Sequence, residues 1–262
     1  MRSGKPVAVF AVLLVVSFAT MNAMPSDTLL AALLQEAVLA LVALVAVELA
    51  VPDALKRCTQ TVQQRSIVRF TAITLLLVGL VGGAITLLAW LFAGGGTMAC
   101  FASTALPSTA DLMENLLLLL GICLLTGLYE ESFMRVLGIE AFERALDTKR
   151  TILASAALFA LLHVGAPDVS AGQLVLLQTA LKFGQALLFG VILGALYVRT
   201  RRLWPCAFIH AGFDVLYMAP NVLLTSTMPE TYASGAVGDT VLLAVSVLML
   251  AGIVLKIRKE IA

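Results

Sequence analysis

The sequence predicts an all-α fold in a lipid bilayer: a polytopic integral membrane protein of about eight transmembrane helices, with N- and C-termini cytoplasmic. Three observations predict it. Of the residues, 61% are hydrophobic and only 13% charged, where soluble domains carry about 25% charged residues, and the mean hydropathy is +1.02. The apolar residues fall into runs close to the roughly 20 residues that cross a bilayer as a helix. The charges gather between those runs, as expected when each charge in hydrocarbon costs about 2.5–3.5 kcal/mol.

In chain order the runs are Val7–Met21, Leu29–Val51, Phe70–Ala93, Leu112–Leu137, Thr151–Val164, Gln173–Val198, Leu203–Leu223 and Thr240–Leu255. The fifth is short for a span, but Lys149-Arg150 marks its start and Gly165-Ala166-Pro167-Asp168 its end. Basic residues occupy alternate gaps only. Arg2 and Lys5 precede the first run; Lys56, Arg57, Arg65 and Arg69 follow the second. Arg144, Lys149 and Arg150 follow the fourth, Arg199, Arg201 and Arg202 the sixth, and Lys256, Arg258 and Lys259 the eighth. The gaps around Pro25–Asp27, Gly94–Asp111, Ala166–Gly172 and Pro220–Asp239 contain no Lys or Arg. Basic segments stay cytoplasmic, so every basic gap falls inside and every other gap outside. In a bacterium the host bilayer would be the plasma (inner) membrane.

The first run also fits a signal peptide, being short and preceded by basic residues. No clean A-x-A site stands near Ala23, and we read an uncleaved helix; the remaining topology is the same either way. Residues 1–262 form a single membrane domain with no repeat, soluble domain or nucleotide-binding glycine loop, and nothing points to nucleic acid. Cys58, Cys100, Cys123 and Cys206 show no CxxC spacing. Cys58 and Cys100 fall on opposite sides of the membrane, and the other two lie in apolar runs, where cysteine acts as a small hydrophobe. Gly190 and Gly194, four apart in the sixth run, favour close helix packing.

Polar residues inside spans are costly and are candidates for function. The fourth run carries Glu130-Glu131-Ser132-Phe133-Met134-Arg135, the fifth Phe159-Ala160-Leu161-Leu162-His163, and the seventh His210-Ala211-Gly212-Phe213-Asp214. Glu131 and Arg135 have the spacing and order that favour an ion pair. Glu130 points about 100° away and can face another neighbour. His210 shares a face with Asp214, and Phe159 with His163. Counted from the basic ends at 1.5 Å per residue, Glu130 and His210 lie about 10 Å deep and His163 about 18 Å, a gap that helix tilt can narrow. Singly, each has a plainer reading: a histidine bonding two helices, a glutamate pair at a solvated boundary, an aspartate holding a ring. As a set they include both histidines of the chain, and they converge on one layer in the cytoplasmic half.

The other polar residues within spans fit interhelical hydrogen bonds, ion pairs or cavity lining: Gln35, Glu36 and Glu48, Glu114 and Asn115, Gln178, Lys182 and Gln185. Lys182 is the first to reconsider, because it is mid-span and needs a partner. Cys206 and Cys123 lie at spacings that could face the site.

The three patterns, EExxxR, FxxxH and HxxxD, in this order on a polytopic chain, resemble those of the CAAX prenyl protease and bacteriocin-processing (CPBP, or Abi) family of intramembrane endopeptidases. The stretch Phe189–Asp214 resembles the family's glycine-containing helix, basic turn and final motif. The similar core covers about 112–220. The resemblance implies a conical cavity opening towards the cytoplasmic side and the lipid, and proteolysis of prenylated proteins or other peptides. It implies that Glu130 is the base that activates water, helped by His163; that Glu131 is held by Arg135; and that His210 and Asp214 stabilise the oxyanion. The family's last motif ends in Asn where this chain has Asp214. An ionised carboxylate only accepts hydrogen bonds, so Asp214 either carries a proton or orients His210, and we read it as orienting.

The resulting expectation is a glutamate-type endopeptidase without a cofactor, with Glu130, Glu131, His163, His210 and Asp214 catalytic and Arg135 and Phe159 supporting. Its partners are a peptide or lipidated-protein substrate and the bilayer. Within the enzyme class the alternative is a zinc peptidase using His163, His210 and Glu130, a known type of ligand set, although HExxH is absent. Outside it, the same cavity could serve a non-catalytic bacteriocin-immunity or scaffold protein that binds a partner. A proton-coupled transporter also uses buried carboxylates and histidines, but no repeat or broken-helix pair supports one.

Overall fold

The computed structural model describes residues 5–24, 26–59, 65–91, 107–164, 170, 172–226 and 233–261. The described residues contain helices and no strand. They are α1 Lys5–Ala23, α2 Leu29–Ala50, α3 Pro52–Thr59, α4 Arg65–Leu91, α5 Thr109–Glu131, a π-helical segment Ser132–Ile139, α6 Glu140–Phe142, α7 Thr148–Val164, α8 Gln173–Thr200, α9 Leu203–Thr225 and α10 Val237–Ile261. Cys100, Gly165–Asp168, residues 94–106 of the gap 94–111 and residues 227–232 of the gap 220–239 lie outside the described residues.

Seven of the described helical stretches are long and apolar enough to cross a bilayer, that from α5 through α6 counting as one. The expected fifth span, α7, has 17 residues, about 25 Å at 1.5 Å per residue, and falls short of the other seven. The fourth expected span is not one continuous α-helix. It converts to π-helix directly after Glu131, and every residue from Ser132 to Ile139 is buried. Short π segments of this kind are rare and often sit at functional sites. Helix α3 was not anticipated; it begins on Pro52, a residue whose fixed φ and missing N–H suit a first helical position. The start of α5 is set by a capping box, in which Ser108 and Asp111 satisfy each other's backbone N–H groups.

The helices that carry the site pack as close neighbours, α5 against α9 and α2, and α7 against α8. Glycines set two of these approaches. At Gly127 an added Cβ would lie 2.6 Å from the Ala207 carbonyl oxygen and 3.3 Å from the Ala211 nitrogen, so α5 and α9 touch through bare backbone one turn from Glu130 and His210. At Gly190 and Gly194, as the small-residue spacing suggested, a Cβ would meet Ala156 at 3.0 Å and Ile152 at 3.1 Å, so α8 presses onto α7.

Polar side chains then tie the bundle. Gln35 donates to the Met21 and Met24 carbonyls, Asn115 to Ser226 Oγ, Gln178 to the Ala236 carbonyl, and Gln185 to Ser246 Oγ. Arg201, in the turn between α8 and α9, grips Glu143 with two N–H groups at 2.9 and 2.6 Å. Cys123 and Cys206 are buried free thiols.

Gly127→Ala is expected to destabilise the protein by about 1–3 kcal/mol through overpacking. Gly212→Ala, with nothing within 4 Å of the new methyl, is expected to be neutral or stabilising by up to about 1 kcal/mol. Thermal unfolding of both variants in detergent checks the contrast.

Candidate active site

Glu131 and Arg135 are both wholly buried and pair through Oε2 and Nε at 3.0 Å, across the junction between α5 and the π segment. Arg135 Nη1 also donates to Ser155 Oγ at 3.3 Å, and Ser155 passes its own proton to the Met134 carbonyl at 2.8 Å. The guanidinium lies over the Phe159 ring, 4.7 Å from its centroid. Arg135 is thus fixed from α5, from α7 and from an aromatic face.

The other oxygen of Glu131 reaches α9. His210 Nδ1 lies 2.9 Å from Glu131 Oε1. A carboxylate can only accept, so the ring donates through Nδ1–H, and this orients its Nε2 edge. That edge faces Asp214 Oδ2 at 3.4 Å and Glu130 Oε2 at 3.5 Å. Phe189 and Phe159 meet the ring edge-on, at 5.1 and 5.9 Å between centroids.

His163 completes the cluster from the end of α7. Its Nδ1 lies 2.9 Å from the Phe159 carbonyl, which again accepts, so Nδ1 carries a proton, and in the neutral ring Nε2 is the acceptor. That nitrogen lies 3.8 Å from Glu130 Oε2. Phe159 packs on the ring at 4.2 Å between centroids, the apolar wall that the FxxxH spacing suggested. Glu130 Oε2 therefore faces the Nε2 atoms of both histidines, and it has no hydrogen-bond partner among the described residues.

The structure accordingly brings together every residue singled out from the sequence: Glu130, Glu131, Arg135, Phe159, His163, His210 and Asp214. His163, deeper than His210 by counting residues, reaches the same oxygen of Glu130. Among the described residues no group of three or more His, Cys, Asp or Glu side chains is arranged to hold a metal ion. Buried Cys206 lies near the Leu193 and Arg202 carbonyls.

Two hollows meet at Glu130 and His163. One is a polar cavity of about 400 Å³, with Glu36, Thr126, Lys182, His210 and Asp214 also in its wall. The other is an apolar groove of about 530 Å³ between α1 and α7, lined by Leu14, Phe18, Met21, Phe133, Leu161 and Leu162. Phe18, Met21, Leu161 and Leu162 are exposed, so the groove opens on the apolar outer face of the bundle. The polar cavity runs further across the bundle. Its described lining extends to Ser26 and Ala233, which lie in gaps free of Lys and Arg, on the side away from the basic ends. Residues of α2, α5, α8 and α9 wall this cavity together with His163 and Val164 at the end of the described part of α7.

Glu36 and Lys182, read from sequence as packing or cavity lining, are wall residues of the catalytic-type cavity, and Phe189 was not singled out at all. The spacing of Glu36 carries no signal, because which face of α2 meets the cavity is decided by packing. Lys182 did carry one, its mid-span charge.

Removing Arg135 leaves Glu131 as an unpaired buried charge. Arg135→Met is expected to cost about 3–5 kcal/mol of stability, and Glu131→Gln in the same background to recover part of it, as measured by unfolding in detergent.

Residues 112–216 match the family model described as type II CAAX prenyl endopeptidase Rce1-like. No curated protein matches the chain. The matched segment holds every residue singled out for chemistry from Glu130 to Asp214, while α1 to α4 and α10 lie outside it. Over residues 112–216 this integral membrane chain is therefore similar to the Rce1-like type II CAAX prenyl endopeptidases.

Proposed function

We propose that the protein is an intramembrane endopeptidase that hydrolyses a peptide bond in membrane-associated or prenylated substrates, using a water activated by Glu130. The observation that supports this reading is the convergence of Glu130 Oε2, His163 Nε2 and His210 Nε2 within 3.8 Å, from three separate helices. In this reading one water donates to Glu130 Oε2 and to His163 Nε2, which stand 3.8 Å apart and move slightly apart to admit it.

In this reading the water attacks the scissile carbonyl carbon and its proton passes to Glu130, with His163 holding the water in line. The carbonyl oxygen becomes an oxyanion, which His210 meets through Nε2–H when its ring carries both protons. Asp214 orients that edge, and Glu131, held by Arg135, fixes the opposite edge. Collapse of the tetrahedral intermediate breaks the C–N bond, and the proton on Glu130 leaves with the amine. A base of this kind supplies about 10²–10⁴-fold, and donors aimed at the oxyanion supply more. The apolar groove between α1 and α7 offers lodging for a prenyl chain or apolar side chain beside the bond. With the basic ends inside, His210 lies about 10 Å into α9, in the cytoplasmic half.

Detergent-purified protein is expected to cleave a farnesylated CAAX peptide. Glu130→Gln and His163→Ala are expected to lower kcat by at least about 100-fold, and strong chelation to leave cleavage intact. Loss of cleavage on chelation, restored by zinc, would instead favour a zinc peptidase using His163, His210 and Glu130. Full biological function from Glu130→Gln would favour a partner-binding role over catalysis.

A further inference from the structure

Beside His210 lies a recess of about 30 Å³, separate from the main cavity yet sharing His163, His210, Asp214 and Lys182 with it. That is more than the roughly 10–15 Å³ needed to admit one water molecule, and so room enough for an oxygen atom. Phe159, Phe189 and Phe213 wall it, so the polar groups in it act at low dielectric. Of those groups, Asp214 as a carboxylate can only accept, and His210 Nε2 already faces two carboxylate oxygens, those of Asp214 and Glu130. An oxyanion formed here would meet a ring edge flanked by negative charge. The group that redresses this is Lys182, on α8.

Lys182 is not a loose side chain. Its Nζ donates to Gln185 Oε1 at 3.1 Å, and Gln185 in turn donates through Nε2 to Ser246 Oγ at 2.7 Å, with both Gln185 and Ser246 buried. The amine also lies over the Tyr217 ring, 4.9 Å from its centroid. A chain of hydrogen bonds from α10 thus holds the lysine head in one place at the wall of the recess. Placing a long, charged side chain mid-span is costly, and fixing it as well removes its rotamer freedom. A packing role needs neither.

We propose that Lys182 is a catalytic residue, the second donor of the oxyanion site: its Nζ–H donates to the oxyanion while His210 donates from the other side. Lys182 thereby supplies the donor that Asp214 does not. Amines donate in either protonation state, so the role does not depend on the charge. This inference rests on the endopeptidase reading, and the experiment separates the two.

Wild type, Glu130→Gln, Lys182→Met, Asp214→Asn and the Lys182→Met/Asp214→Asn pair are compared on a farnesylated CAAX peptide. Each is also titrated with a phosphinic analogue of that peptide, whose tetrahedral anion mimics the intermediate. Lys182→Met is expected to lower kcat by about 10²–10³-fold, the usual loss of one oxyanion donor, with KM little changed and analogue affinity weakened by a similar factor. In the Asp214→Asn background, where the new amide is a donor, the same substitution is expected to cost at most about tenfold, a non-additivity that marks a shared task. Should the methionine variant not fold, Lys182→Gln, which keeps an N–H donor, is read instead, with a loss of about tenfold in both kcat and analogue affinity expected. Unchanged kcat, or lost kcat with analogue affinity intact, overturns the role of Lys182 while cleavage lost in Glu130→Gln keeps the peptidase standing. A wild type that cleaves nothing overturns both.

Discussion

The ion pair between Glu131 and Arg135 is the constraint on which the rest of the site depends. Both side chains are fully buried, and either charge left there without the other would be costly. Once paired, Glu131 has one oxygen left, and that oxygen sets the tautomer and the direction of His210. Arg135 is itself placed by Ser155 and Phe159 on α7, the helix that delivers His163. One buried pair therefore registers α5, α7 and α9 against each other. The bare-backbone contact at Gly127 is what lets α9 come close enough for His210 to reach it.

The two hollows differ in chemistry. The groove between α1 and α7 is apolar and turned to lipid, and the cavity behind Glu130 carries carboxylates, histidines and a lysine. Their meeting at Glu130 and His163 puts the proposed reacting atoms at a boundary between an apolar and a polar compartment. A substrate with an apolar or lipidated part beside a peptide segment matches that boundary. Helix α1, outside the segment matched to the family, forms one wall of the groove.

Much of this was legible in the sequence, because the strongest constraints are one-dimensional. Apolar run length, alternation of basic gaps and the i, i+4 spacing of Glu131 with Arg135 all report directly on helices in a bilayer. The motif residues converged as their order and depth suggested. What was not legible depends on rotation and register. Nothing in Ser132–Ile139 distinguishes a π-helix from an α-helix, since the i→i+5 pattern follows from packing on all sides and not from propensity. Glu36 and Gln35 are neighbours with similar side chains, yet Gln35 bonds the Met21 and Met24 carbonyls while Glu36 lines the cavity. The extent of the polar cavity was likewise hidden, because it depends on which faces of α2, α5, α8 and α9 meet.

The account's central claim is that Glu130 activates a water and does not itself attack the substrate. Single-turnover hydrolysis in ¹⁸O-labelled water, with enzyme in excess over a farnesylated CAAX peptide, tests it most directly. Direct attack by water places one ¹⁸O in the new C-terminal carboxylate of the product and none in the protein. Label found in the Glu130 carboxylate, with an unlabelled product, would mean a covalent anhydride intermediate and would contradict the account.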